Sequence, residues 1–290
     1  MSEGGPGGRA RHGGPSRPSR EADEPGRVEP ASWLRGGAHR SPIEAVGVGI
    51  PARNEEARVD ACVMSVLGAA ARIEVPVAVV VAADRCTDRT VRRAQAAIDR
   101  LTDGANVTGV VLIGAHGSAG GARAAALDAA LTLLPAAPES SWLATTDADT
   151  TVPEDWLQAH LQWAERGADG VAGLVDVDWA EWAVPLPELY AASLVAGGTG
   201  YGHGHVHGAN LGLRGHRWVE VGGCGPAVVG EDHELWRRLR AVGARLHGID
   251  DVRVRTSGRL DARAPLGFSH HLAKLCVSGP LLADGEFRSA

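Results

Sequence analysis

From Ile43 onward, short runs of mainly apolar residues alternate with stretches whose apolar positions recur at helical spacing. Ala45 to Ile50, Val75 to Ala83, Val107 to Ile113 and Trp142 to Thr146 are bounded by Gly, Pro or polar turns and read as strands buried on both faces. Between them Val59, Val63, Val66 and Ala70 recur at i, i+4, i+7 and i+11, and Val91, Ala94, Ile98 and Leu101 follow a similar helical spacing behind an N-cap at Thr87 or Asp88. A third, Ala-rich helix is expected from Ala122 to Leu134 after a Gly-rich turn. This β-α-β-α-β-α-β order predicts an α/β fold, a Rossmann-like, mostly parallel sheet with helices on both faces. In such sheets ligands bind at the carboxyl ends of the strands, so chemistry is expected just after Ile50, Ala83, Ile113 and Thr146.

The second half is less regular and predicts a smaller antiparallel C-terminal part. Its readable elements are a helix from Glu154 to Arg166, a strand from Val171 to Asp178, a Trp-rich stretch, a Gly/His segment from Gly197 to Gly208 and a helix from Glu231 to Val242. Residues 1–42 hold nine Gly, six Pro and seven Arg with one aromatic, Trp33, too little apolar surface to offset the entropy of ordering; a disordered tail is expected. One folded domain is expected over 43–275, with 276–290 as a C-terminal tail.

Charge narrows the choice of partner. The chain of 290 residues carries a net charge of -6 with 22% charged residues, so no global basic excess points to nucleic acid. The tail has seven Arg against five acids, a net of +2, which leaves about -8 on the rest by subtraction. The longest apolar run, Val75 to Ala83, is far shorter than the ~20 residues of a membrane span, and the N-terminus opens with Gly, Arg and Pro. A cytoplasmic protein with no integral membrane segment is expected. Cys62, Cys86, Cys224 and Cys276 are widely spaced, which indicates neither a zinc knuckle nor a disulfide framework.

Polar clusters stand at the predicted strand ends. The first strand runs into Pro51-Ala52-Arg53-Asn54-Glu55, and the second into Asp84, whose carboxylate can accept from a base N–H or a ribose hydroxyl. Thr87 and Asp88 read equally well as helix caps. After the third strand a Gly-rich turn leads to Arg123, in reach of a diphosphate or simply on the surface. After the fourth come Asp147 and Asp149, a costly pair of carboxylates unless a cation or donor-rich ligand offsets their repulsion, although an acidic turn capping the next helix has the same composition. Glu231 and Asp232 open a helix, either as favourable acids of its first turn or as a general base. His203, His205 and His207 alternate and would share one face of an extended segment; the surrounding glycines favour a loop over a metal site.

Taken in order, IPARNEE (50–56), ADRCTDRT (83–90), GSAGGARAAAL (117–127), TTDADTTVPEDWL (145–157), HGANLGLR (207–214) and GEDHELWRRL (230–239) resemble the family 2 glycosyltransferases of GT-A fold. The resemblance implies transfer of a sugar from a nucleotide-diphospho-sugar, a UDP- or GDP-sugar, to an acceptor hydroxyl. It implies that Pro51, Ala52, Arg53, Glu55 and Asp84 hold the nucleoside, that Arg123 lies near the diphosphate and that Asp147 and Asp149 meet ribose and a divalent metal ion, Mn²⁺ or Mg²⁺. A late histidine, His270 or His271, matches the one that joins the metal in some relatives, and His271 is taken as that ligand. Asp232, with Glu231 beside it, is implied as the catalytic base, which gives inversion; some GT-A relatives retain configuration instead. Two departures stand out: Ala83 replaces an acidic or amide residue, and Arg85-Cys86 replaces the commoner Gly-Ser. Competing expectations are a nucleotidyltransferase, which would need a Gly-rich, Lys-bearing loop where this chain has Pro51-Ala52-Arg53, and a catalytically silent sugar-nucleotide or glycan-binding module.

Overall fold

The computed structural model describes residues 41–101, 106–179, 205–225 and 230–259, together with Met1 and the backbone of 198–199 and 202–203. The chain divides into two units, Met1–Gly37 and Ala38–Ala290, and every element below lies in the second. Most of both expected tails, along with Trp182, His270 and His271, falls outside the described residues.

The first half follows the pattern. Strand β1 (Ala45–Ala52), helix α1 (Val59–Ala70), β2 (Val77–Asp84), α2 (Thr90–Ile98), β3 (Val107–Gly114), α3 (Ala119–Leu133) and β4 (Ser141–Thr145) alternate, and β1 pairs in parallel with both β2 and β4. Strand β2 starts two residues later than expected, after Pro76, whose carbonyl accepts from Val46 N at 2.9 Å while its nitrogen has nothing to donate. Helix α3 starts three residues earlier, because the Ser118 hydroxyl caps it by accepting from Gly121 N at 3.0 Å.

The second half continues the same sheet and adds a separate two-stranded hairpin. It contains β5 (Thr150–Thr151), α4 (Trp156–Glu165), β6 (Gly170–Asp178), the short hairpin β7 (Gly198–Thr199) and β8 (Gly202–His203), β9 (Leu211–Arg214), α5 (Gly215–Val221), α6 (Glu231–Ala241) and β10 (Leu246–Ser257). The strand order is β3-β2-β1-β4-β9-β6-β10-β5, with β9 antiparallel to β4 and β6, β10 parallel to β6, and β5 antiparallel to β10. Strands β9 and β10 and helix α5 were not foreseen. Strand β10 alternates buried Val252, Val254 and Thr256 with exposed Asp251, Arg253 and Arg255, the mark of a strand covered on one face.

Helices cover both faces. Val46, Val48 and Ile50 of β1 pack with α1, α2 and α4. On the other face Ala78, Val80 and Ala82 meet the Ala122, Ala126 and Ala130 ridge of α3, and Leu127, Leu143, Leu213, Trp218, Leu235 and Leu239 fill the space beneath α5 and α6. Gly47 and Gly49 allow α3 to lie close: a Cβ on Gly49 would stand 2.8 Å from Leu127, and one on Gly47 2.8 Å from Leu143 and 3.1 Å from Ala130. These packing layers leave the carboxyl ends of β1, β2 and β4 as one edge.

Candidate active site

Pro51 and Ala52 are the buried last residues of β1, in register with Ala82 and Ala83 of β2. The loop that follows turns through Asn54 in the left-handed region (φ 55°), and its side-chain oxygen accepts from Thr87 N at 2.8 Å. Arg53 is exposed. Glu55 is buried at 6% exposure, and its N–H donates to the Thr90 hydroxyl at 2.7 Å. The N-cap of α2 is Arg89, without a side-chain cap bond, and not Thr87 or Asp88 as expected; Asp88, one residue earlier, accepts from Thr90 N at 2.9 Å through Oδ1 and from Glu56 N at 3.1 Å through Oδ2, which clamps the β1 loop to the β2 loop.

Asp84 at the end of β2 is almost wholly enclosed. Its Oδ1 accepts from His116 N at 2.6 Å and Gly117 N at 3.3 Å, and its Oδ2 from Arg85 Nη2 at 3.1 Å. Burial works to raise this carboxyl's pKa, but the Arg85 side chain and the two backbone amides hold it below the usual range. Arg85 itself takes φ 48°, the left-handed conformation that glycine adopts without strain, and its guanidinium also donates to Gly117 O at 3.0 Å. Asp84 and Arg85 together thus tie the Gly-rich turn before α3 to the sheet.

Arg123 is buried at 3% exposure and joins separate elements. Its Nη1 donates to the Thr145 hydroxyl at 2.9 Å and to Gly208 O at 2.8 Å, and its Nη2 to Asp147 at 3.0 Å and Glu231 at 3.3 Å. Burial acts to weaken this cation, but the Asp147 and Glu231 carboxylates more than reverse that and raise its pKa. A Cβ on Gly208 would fall 2.3 Å from Nη2, so only glycine lets the backbone lie against the guanidinium.

Of the paired carboxylates, Asp147 pairs with Arg123 and keeps 36% of its side chain exposed, and Asp149 pairs with Arg259 at 3.1 Å. Burial pushes the Asp149 carboxyl up to about 6; Arg259 opposes this, and the Asp147 and Glu55 carboxylates add to it. Arg259 also forks onto Glu55, with N–O distances of 2.6 and 2.5 Å. Glu231 is 7% exposed and spent on Arg123, whereas Asp232 accepts from Gly208 N at 2.9 Å and from His233 N at 2.8 Å and remains partly open. His205 and His207 stack with ring centroids 6.0 Å apart, so these two do share a face; the His203 side chain lies outside the described residues.

Glu55, Arg259, Asp149, Asp147, Arg123 and Glu231 therefore form a continuous series of charges over the sheet edge. No group of three or more His, Cys, Asp or Glu side chains assembled to hold a metal occurs among the described residues. Arg259, Thr145 and Gly208 were not foreseen as parts of this site; the VRVRTS alternation of β10, which would have delivered Arg259 to the edge, was the available signal for the first.

A mostly parallel sheet with a short antiparallel insertion and an acidic cluster on its carboxyl edge is the GT-A fold. Residues 47–184 match the model of Glycosyl transferase family 2. Solved structures of the same fold include S. aureus TarS 1-349 in complex with UDP (TM-score 0.52, 16% identity, covering 74% of this chain and 61% of that one) and with UDP-GlcNAc (0.56, 16%, 83% and 68%). Another is the mannosyltransferase PcManGT from Pyrobaculum calidifontis in complex with GDP-Man and Mn²⁺ (0.55, 19%, 83% and 72%). The chain thus spans about three fifths of the first of these. No curated protein matches it. Among the described residues no helix is long and apolar enough to cross a membrane.

Proposed function

We propose that the chain is a cytoplasmic, divalent-cation-dependent glycosyltransferase that moves a sugar from a UDP- or GDP-sugar to an acceptor hydroxyl with inversion. The observation that carries this reading is the gathering of Asp147, Asp149, Glu231 and Asp232 over one sheet edge, where the described cations among them are Arg123 and Arg259. Such an arrangement is deficient in positive charge until a ligand supplies it. The complexes of the same fold with UDP, UDP-GlcNAc and GDP-Man support the donor class.

The Pro51–Glu55 loop and the turn held by Asp84 line the nucleoside side, and Asp147, partly exposed, is available to ribose. Asp149 is the carboxylate that would hold a cation. Its hard oxygen donors and its neighbouring carboxylates suit Mg²⁺ or Mn²⁺, which use few protein carboxylates and complete their shell from phosphates and water. When bound, such a cation neutralises charge on the departing nucleoside diphosphate. Arg123 spends both terminal nitrogens within the protein while its buried Nε has no partner there, and we assign it the role of holding Asp147 and Glu231 in place rather than the expected diphosphate contact. Asp232 receives the proton of the acceptor hydroxyl as that oxygen attacks the anomeric carbon. Its two backbone donors, Gly208 N and His233 N, fix its direction.

The test is release of UDP or GDP from sugar donors such as UDP-GlcNAc and GDP-Man, with and without Mn²⁺. Asp232→Asn is expected to lower kcat by about 10²–10⁴ with little change in donor binding. Unchanged turnover in Asp232→Asn removes it as the base, and donor cleavage that proceeds at full rate in EDTA removes the cation.

A further inference from the structure

Asp149 does not stand free. Its Oδ2 lies 3.1 Å from Arg259 Nη2, and the same guanidinium makes a two-pronged contact with Glu55, both partners being nearly buried. One arginine therefore bridges the loop after β1 and the end of β4, the two places assigned above to nucleoside and cation. The backbone around it is fixed independently: Ser257 N donates to Asp149 O at 3.2 Å, and the Thr150 and Thr256 hydroxyls bond at 2.9 Å across β5 and β10. Arg259 follows two residues beyond this pairing, at the end of a long side chain that can move without unzipping the strands.

We propose that Arg259 is a built-in counter-cation that competes with the divalent ion for Asp149, holding the cation site closed until that ion arrives. This rests on the transferase reading above and adds a residue that sets its cation affinity. The two contacts of Arg259 are unequal. The fork on Glu55 has the geometry of a strong bidentate pair, whereas Asp149 receives a single nitrogen at longer range, so the second contact breaks first. A divalent ion on Asp149 meets the positive guanidinium beside it; repulsion between the two lowers the affinity of each for the carboxylate. Release leaves Arg259 anchored through Glu55 at the mouth of the site.

The experiment is calorimetric titration of Mn²⁺ alone into wild type, Arg259→Gln, Arg259→Met, Arg259→Lys and Asp149→Asn, with melting curves for each. Met keeps the aliphatic stem and Lys keeps the charge. The Gln and Met variants are expected to bind Mn²⁺ about tenfold more tightly than wild type, an ordinary size for coupling between two ligands. Lys should restore most of the wild-type affinity, and Asp149→Asn should abolish binding. A merely structural Arg259 makes the opposite forecast, weaker binding on its removal. Equal, weaker or absent Mn²⁺ binding in the Gln and Met variants overturns the competition. Titration with UDP and GDP separates the two readings: nucleotide binding that persists leaves the transferase reading standing, and its loss from wild type as well ends that reading too.

Discussion

Arg123 sends its terminal N–H groups to a strand end, a 3₁₀ turn, the acidic pair and the first turn of α6, so four segments of the site share one side chain. Removing a buried ionic partner strands the others. Arg123→Ala is expected to cost about 3–5 kcal/mol in urea unfolding, and Arg123→Lys to recover only part of that because an ammonium lacks the fork. His160 makes a second residue-scale case. Fully buried, it accepts from Trp142 Nε1 at 3.2 Å; burial pushes its pKa down to about 4, a shift that the hydrogen bond with Asn210 only partly opposes. The unfolded chain binds a proton near pH 6.5 that the folded chain refuses until about pH 4, so His160 removes stability as pH falls through that window. The difference between wild type and His160→Gln in the drop from pH 7 to 4.5 should be roughly 2–3 kcal/mol, read from urea midpoints; equal pH slopes would show that His160 is not the group responsible.

At the scale of elements, the contact between α3 and β1 depends on glycines placed two apart. Gly49→Ala is expected to cost about 1–3 kcal/mol, measured by denaturant unfolding, because the new Cβ meets Leu127 at 2.8 Å in a filled interior. A neutral result would mean that α3 can lift from the sheet. The same packing explains what the sequence revealed. Buried parallel strands are apolar on both faces and stand out in any window, which is why β1, β2 and β4 were legible along with the acids at their ends; β3 was found as a strand too, but the expected burial on both faces fails, because it is the edge of the sheet with no buried residue and Ile113 69% exposed. Strand β9 has only Leu211 to Arg214 to announce it, and β10 changes register between Ile249 and Arg253, so only its second half, Val252 to Ser257, keeps an unbroken alternation. The VRVRTS alternation points to a strand ahead of Arg259 but not to its partner, which depends on β10 bringing it across the sheet to Glu55, 204 positions earlier.

For the molecule as a whole, the parallel β3-β2-β1-β4 half and the β9-β6-β10-β5 half meet where Asp147 and Asp149 leave β4. The first half delivers the loops after β1, β2 and β3, and the second delivers Asp232, Gly208 and Arg259. The general place of the site follows from strand order alone, since the carboxyl edge of a parallel sheet is where helix starts and loops converge. The pairing of charges within it does not, because each partner comes from a distant part of the chain. The central claim is that this edge binds a nucleoside diphosphate through a cation held at Asp149. The most direct test is a titration of UDP and of GDP into wild type and Asp149→Ala, each with Mn²⁺ and with EDTA, under conditions where both proteins are folded. One nucleotide binding wild type with Mn²⁺, at least about tenfold more weakly in EDTA or in Asp149→Ala, is the predicted result. Binding that is equal in all four conditions, or absent with both nucleotides, would contradict it.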